Sequence, residues 1–169
     1  MSDAQGTPRV SIFIEGSHLF FVTKHLGFQY DTKKLRDLFG KYGNVVDCIY
    51  YAAVPADGSQ DGFLTHLSKT GYSVETKPLK TIKHEDGGGH QKGNFDVEIA
   101  LDMVAQVENY DLAVLVSGDG DFERPLKILR SRGKQFKVVS TASMTASEII
   151  KIAGPHFVDL ATHRAQIEK

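Results

Sequence analysis

Two short, unbroken apolar runs constrain this chain more than any other feature: Arg9–Glu15 (RVSIFIE) and Asp111–Val116 (DLAVLV). Neither alternates with polar residues, so both faces of each strand must be covered, as in a parallel sheet with helices on either side. Asn44–Val54 reads as another strand, ended by Pro55, and Tyr72–Lys77, Gln135–Thr141 and Phe157–Leu160 as further extended segments. Helical patterns fill the intervals. Ser17 is expected to cap a helix to about Leu26 with Leu19, Phe20, Val22 and Leu26 near one face, and Asp31 to cap a second one ending near Gly40. Helices are also expected over Asp61–Lys69, from Asn94 to about Val107 with a stripe of Val97, Ala100, Leu101 and Val104, from Phe122 to Arg132, over Thr145–Ala153, and at the C-terminus. Lys83–Asn94 (KHEDGGGHQKGN) has four glycines and no periodicity, and reads as a mobile loop.

Strands separated by helices predict an α/β fold of three layers, a Rossmann-like, mostly parallel sheet between helices. The 169 residues suit one domain, placed at 9–169 behind a flexible tail of residues 1–8. A formal net charge of −1 argues against a high-affinity, non-specific nucleic-acid coat protein, but leaves room for a nuclease whose ions neutralise a few phosphates. No apolar run approaches the roughly 18 residues of a membrane span, and the N-terminus lacks a secretory pattern, so a cytoplasmic protein without membrane contact is expected. The single cysteine, Cys48, falls in an apolar strand and is assigned to the core.

In an open parallel sheet, ligands sit beyond the carboxyl ends of strands, near the point where strand order reverses. Glu15 follows the first strand, and Ser117-Gly118-Asp119-Gly120-Asp121 follows the strand Asp111–Val116. If those strands are neighbours, about 4.8 Å apart, Glu15, Asp119 and Asp121 converge on one edge. Asp96, in the first turn of its helix, can look into the same cleft, whereas Asp102 faces solvent or a partner. Clustered carboxylates repel unless a cation compensates, and an oxygen-only set suits Mg²⁺ or Mn²⁺ better than Zn²⁺. With no protein nucleophile in the set, water is the natural attacker and phosphodiester hydrolysis the natural reaction. Each acid also has a plainer role: Asp119 as a helix cap, Asp121 and Asp96 as first-turn dipole partners.

Three blocks, IFIEGSHLFF, KGNFDVEIALD and LVSGDGDFERPL, resemble the NYN domains, in particular the LabA-like (DUF88) branch of the PIN-like nuclease superfamily, over about Val10 to Leu160. The resemblance implies a PIN-like sheet, a Mg²⁺ or Mn²⁺ site on Glu15, Asp96, Asp119 and Asp121, and RNA as substrate. It places the family's serine on Ser117, where it orients a ligand or water. The family usually carries Asp where this chain has Glu15, and Asn where it has Ser17 or His18. Substrate contacts are further assigned to His18, to Lys92 on the glycine-rich segment acting as a lid, and to Arg124. Phe20, Phe21, Phe28 and Tyr30 could stack bases, but their spacing assigns most of them to the core or to a homodimer interface. Two alternatives accompany the ribonuclease reading: a catalytically weak RNA-binding or regulatory protein that keeps the acidic fold, and a Toprim-like metal domain suggested by Glu15-Gly16 and Asp119-x-Asp121.

Overall fold

The structure, a computed structural model, describes residues 6–87, 89–92 and 94–169, the backbone alone for 81–83 and 89–92. Six strands form one sheet: β1 (Arg9–Glu15), β2 (Asn44–Val54), β3 (Ser73–Pro78), β6 (Leu112–Val116), β7 (Gln135–Ser140) and β8 (Phe157–Asp159). Their order is β3-β2-β1-β6-β7-β8, and every pairing is parallel. The chain therefore winds outward from β1 through β2 to β3, then returns to β6 beside β1 and winds the other way. The reversal falls between β1 and β6, which pair from Val10↔Leu112 to Ile14↔Val116. That crevice is where such sheets receive ligands.

The period of two along the central strands sorts their side chains into two cores. Val10, Ile12 and Ile14 join Leu112, Val114 and Val116 on one face, under α1 (Gly16–Leu26), α2 (Thr32–Gly40) and α3 (Asp61–Lys69). Phe13, Ala113 and Leu115 face the other way, under α4 (Asp96–Ala105), α5 (Glu123–Ser131) and α6 (Ser147–Ala153). Cys48 lies in the first core, 2% exposed, and burial pushes its thiol up to about 12. A short α7 (Arg164–Ile167) brings the C-terminus back over α2, where Lys34 Nζ donates to the Glu168 carbonyl at 2.9 Å. Among the described residues, no helix is long and apolar enough to cross a membrane.

Four local expectations are corrected. The segment expected to be a loop holds β5 (Gly89–Lys92), which pairs antiparallel with β4 (Lys80–Lys83), the strand that leads into it. The sequences KTIK and GHQK are polar and carry no hydrophobic alternation to read. Ser17 does not cap α1; Glu15 occupies the N-cap position without making a side-chain cap bond. Phe20 leaves the expected stripe of α1 and is 55% exposed. On α4 the buried residues are Asp96, Ile99 and Met103, while Val97 and Leu101 are 68% and 64% exposed. Choosing Val97 and Leu101 by hydrophobicity rotates the helix by about one residue, or about 100°. With the correct rotation Asp102 is half-buried and accepts a hydrogen bond from the Tyr51 hydroxyl at 2.7 Å, not a solvent contact.

Candidate metal centre

Steric exclusion shapes both loops of the site. At Gly16 an added Cβ would lie 2.7 Å from the Tyr51 carbonyl and against the Tyr50 ring, so the chain can turn from β1 into α1 there only with glycine. That tight turn leaves the Glu15 carboxylate at the sheet edge. At Gly118 a Cβ would overlap the Met144 carbonyl and approach the His18 ring to 3.1 Å. The loop after β6 is thus wedged against the segment before α6, where Ala146 N–H donates to the Gly118 carbonyl at 2.9 Å.

Within that loop, Ser117 is 1% exposed. Its hydroxyl donates to Glu15 Oε2 at 2.6 Å and accepts from the Asp119 N–H at 3.2 Å. One buried hydroxyl therefore ties the end of β1 to the turn after β6. Asp119 Oδ1 accepts from the Asp121 N–H at 2.9 Å, the plain capping role, and keeps its other oxygen. Asp96 enters from the opposite side on the first turn of α4. Asn94 holds it twice: Asn94 Oδ1 accepts from the Asp96 N–H at 2.7 Å, and Asn94 Nδ2 donates to Asp96 Oδ2 at 3.1 Å. Lys77, at the end of β3, pins the same segment by donating to the Asn94 carbonyl and to Glu98 Oε1 at 2.9 Å.

Asp96, Asp119 and Asp121 each offer an oxygen, and these oxygens lie within 4.8 Å of one another. Asp96 is only 9% exposed, and its Oδ1 has no hydrogen-bond partner among the described residues. Burial raises its pKa to about 7, helped by the proton it would share with Asp119 and by the charge of Glu15; Asn94 opposes the shift. Glu15 is also raised, first by burial and further by the charge of Asp119, against the lowering effect of Ser117. An orphaned, buried carboxylate oxygen facing two other carboxylates is a donor set short of a cation. Oxygen-only donors in an open cleft fit Mg²⁺ or Mn²⁺.

The structure thus draws three of the four expected acids into one group and leaves Glu15 outside it, two hydrogen bonds from Asp119 through Ser117. Ser117 spends its hydroxyl on Glu15 rather than on the open cleft. His18 lies over the same loop, with Nε2 2.7 Å from the buried Ser140 Oγ. Burial holds its imidazole below the ordinary pKa, against an upward pull from Asp119. Arg124 is exposed on the first turn of α5. The Lys92 side chain lies outside the described residues. Sequence reasoning missed Asn94 and Lys77 as holders of Asp96; an asparagine two residues before a helical acid, the usual signal of a side chain turned onto its own backbone, marked the first.

Residues 9–161 match the NYN domain family. Over 165 residues the chain is 37% identical to the low amplitude and bright protein LabA of Synechococcus elongatus, covering 95% of this chain and 88% of that one. A crystal structure of VPA0982 from Vibrio parahaemolyticus, a protein of unknown function, superposes with a TM-score of 0.78 at 26% identity, covering 95% of this chain and 96% of the other. The match displaces the Toprim-like alternative and associates the chain with RNA-related, generally metal-dependent nucleases. The chain belongs to the NYN domain family and, within it, is LabA-like.

Proposed function

We propose that this protein is a divalent-metal-dependent ribonuclease that hydrolyses RNA phosphodiesters with water. The observation that carries the reading is the group Asp96, Asp119 and Asp121, with a buried oxygen on Asp96 that has no partner among the described residues. These three acids would hold Mg²⁺ or Mn²⁺, and Glu15 would complete the site from its edge. When bound, such an ion neutralises the phosphodiester and makes water a better nucleophile near neutral pH. The chain's own groups supply the rest. Ser117 fixes Glu15 through Oε2, leaving Oε1 to orient a water and receive its proton, a task suited to a carboxylate whose pKa burial has raised. His18, held neutral by burial and anchored on Ser140, offers its other ring nitrogen to a phosphate or ribose oxygen. Arg124, exposed on the first turn of α5, would serve as a cation for the substrate backbone.

One observation favours a second reading, a protein that binds RNA with weak or no cleavage: Glu15 lies outside the three-acid group and its carboxylate is already engaged by Ser117. Incubating purified protein with a mixed RNA pool and Mn²⁺ separates the two. Cleavage that needs the metal and disappears in Asp119→Asn supports the nuclease. RNA binding without metal-dependent cleavage supports the second reading, and cleavage that survives Asp119→Asn refutes the assignment of the site.

A further inference from the structure

One face of α1 is built the wrong way round for a helix packed on a sheet. Leu19, Val22 and Thr23 are buried, while Ser17, Phe20, Phe21 and Lys24 form a second stripe at i, i+3, i+4 and i+7 that faces outward. Phe20 and Phe21 are 55% and 53% exposed, with ring centroids 5.3 Å apart at an interplanar angle of 71°. Lys24 Nζ stands 5.8 Å from the centroid of the Phe20 ring. The whole stripe lines a groove of about 1580 Å³. Its lining includes Glu15, which Ser117 of the acidic loop bonds, and Asn94, which bonds Asp96, so the groove reaches the immediate neighbours of the three acids. The volume exceeds the roughly 300–1,000 Å³ of a small-molecule site and suits an extended polymer.

We propose that this groove is a platform for unpaired nucleobases, with Phe20 and Phe21 stacking on bases next to the scissile phosphate and Lys24 meeting the backbone between them. The proposal rests on the ribonuclease reading and deepens it by naming single-stranded RNA as the form bound. Aromatic faces exposed beside a cation are what a single strand exploits, since every base has a π-face and every nucleotide a phosphate. A duplex buries its base faces in its own stack and has nothing to offer the two rings. The register also fits. The stripe starts at Ser17, two residues beyond Glu15, and runs away from the acids along the helix, so a strand lying on it delivers a phosphate to them.

The test measures binding by fluorescence anisotropy in an Asp119→Asn background, where cleavage does not intrude. The probes are a short labelled single strand, its duplex, and the same strand with abasic sugars. Replacing both phenylalanines with alanine is expected to weaken single-strand binding about tenfold or more. Duplex and abasic binding should change little. The pair Phe20→Tyr and Phe21→Tyr should bind like the parent, and the pair Phe20→Leu and Phe21→Leu like the alanine pair. Leucine behaving like phenylalanine, alanine having no effect, or an absence of single-strand binding in the parent would overturn the proposal. So would Phe-dependent self-association in sedimentation, which would make the face a homodimer interface. The Mn²⁺-induced rise in melting temperature, followed with Asp119 intact, reports separately on the acids. Phe-dependent binding without a Mn²⁺ response leaves the platform standing and removes the nuclease; Mn²⁺-dependent cleavage with Phe-independent binding does the reverse.

Discussion

Asp96→Asn should stabilise the metal-free protein, the opposite of what removing a structural carboxylate does. Burial, the neighbouring Asp119 and the charge of Glu15 raise the Asp96 pKa from 3.8 to about 7. Because the folded value lies above the unfolded one, the favourable contribution is complete below pH 4 and is lost as pH rises through 7. At about 1.4 kcal/mol per pKa unit the full shift would come to somewhat over 4 kcal/mol, and water at the open side of the cleft reduces this to about 2 kcal/mol. Asparagine keeps the size, and its carbonyl still accepts from Asn94 Nδ2, but it carries no charge. In chelator at pH 8 the variant should therefore melt about 4–8 °C above wild type, taking 2–4 °C per kcal/mol for a chain of this size. The gain should shrink towards zero between pH 7 and pH 4. Mn²⁺ at about a hundred times its dissociation constant should add about 2.7 kcal/mol to wild type and much less to the variant, closing or reversing the gap. Thermal denaturation followed by circular dichroism, with and without Mn²⁺, reads all of these. A variant less stable than wild type at pH 8 in chelator would refute the repulsion argument and make Asp96 an ordinary helix-start residue.

Ser117→Ala removes the hydroxyl that bonds Glu15 and receives the Asp119 N–H, so urea denaturation should show a loss of about 1–2 kcal/mol at pH 8. Without Ser117 to lower it, the Glu15 pKa rises further, and that loss should be smaller at pH 5. Gly118→Ala forces a Cβ onto the Met144 carbonyl, which should cost about 2 kcal/mol or more and weaken the Mn²⁺-induced stabilisation by displacing Asp119. An unchanged Mn²⁺ response in a destabilised Gly118→Ala protein would show that the loop does not position the acid.

Legibility followed burial. RVSIFIE and DLAVLV announced strands covered on both faces, and both became central strands paired from Val10↔Leu112 to Ile14↔Val116. Asp31 was readable as a cap and accepts from the Lys34 N–H at 2.9 Å. The pair β4–β5 was not readable, because its polar sequence leaves no hydrophobic period. The rotation of α4 failed for a related reason: its sequence offers two apolar faces, and hydrophobicity alone cannot say which one the sheet takes. Tyr51 on β2 resolves it by holding Asp102.

The amino-acid order alone determined the parallel α/β class, the acids at its strand and helix ends, and the family. Those properties are local or nearly so: strand and helix periods, turn glycines, and short blocks of residues. Only the tertiary structure decided which carboxylates meet. Glu15 and Ser117 are bonded because β1 and β6 are neighbours, and Asp96 faces Asp119 because Asn94 and Lys77 fix the start of α4. It likewise decided that Phe20 and Phe21 face a groove rather than the core. These outcomes depend on contacts between elements far apart in sequence, and a local pattern carries no information about the rotation of one packed element against another.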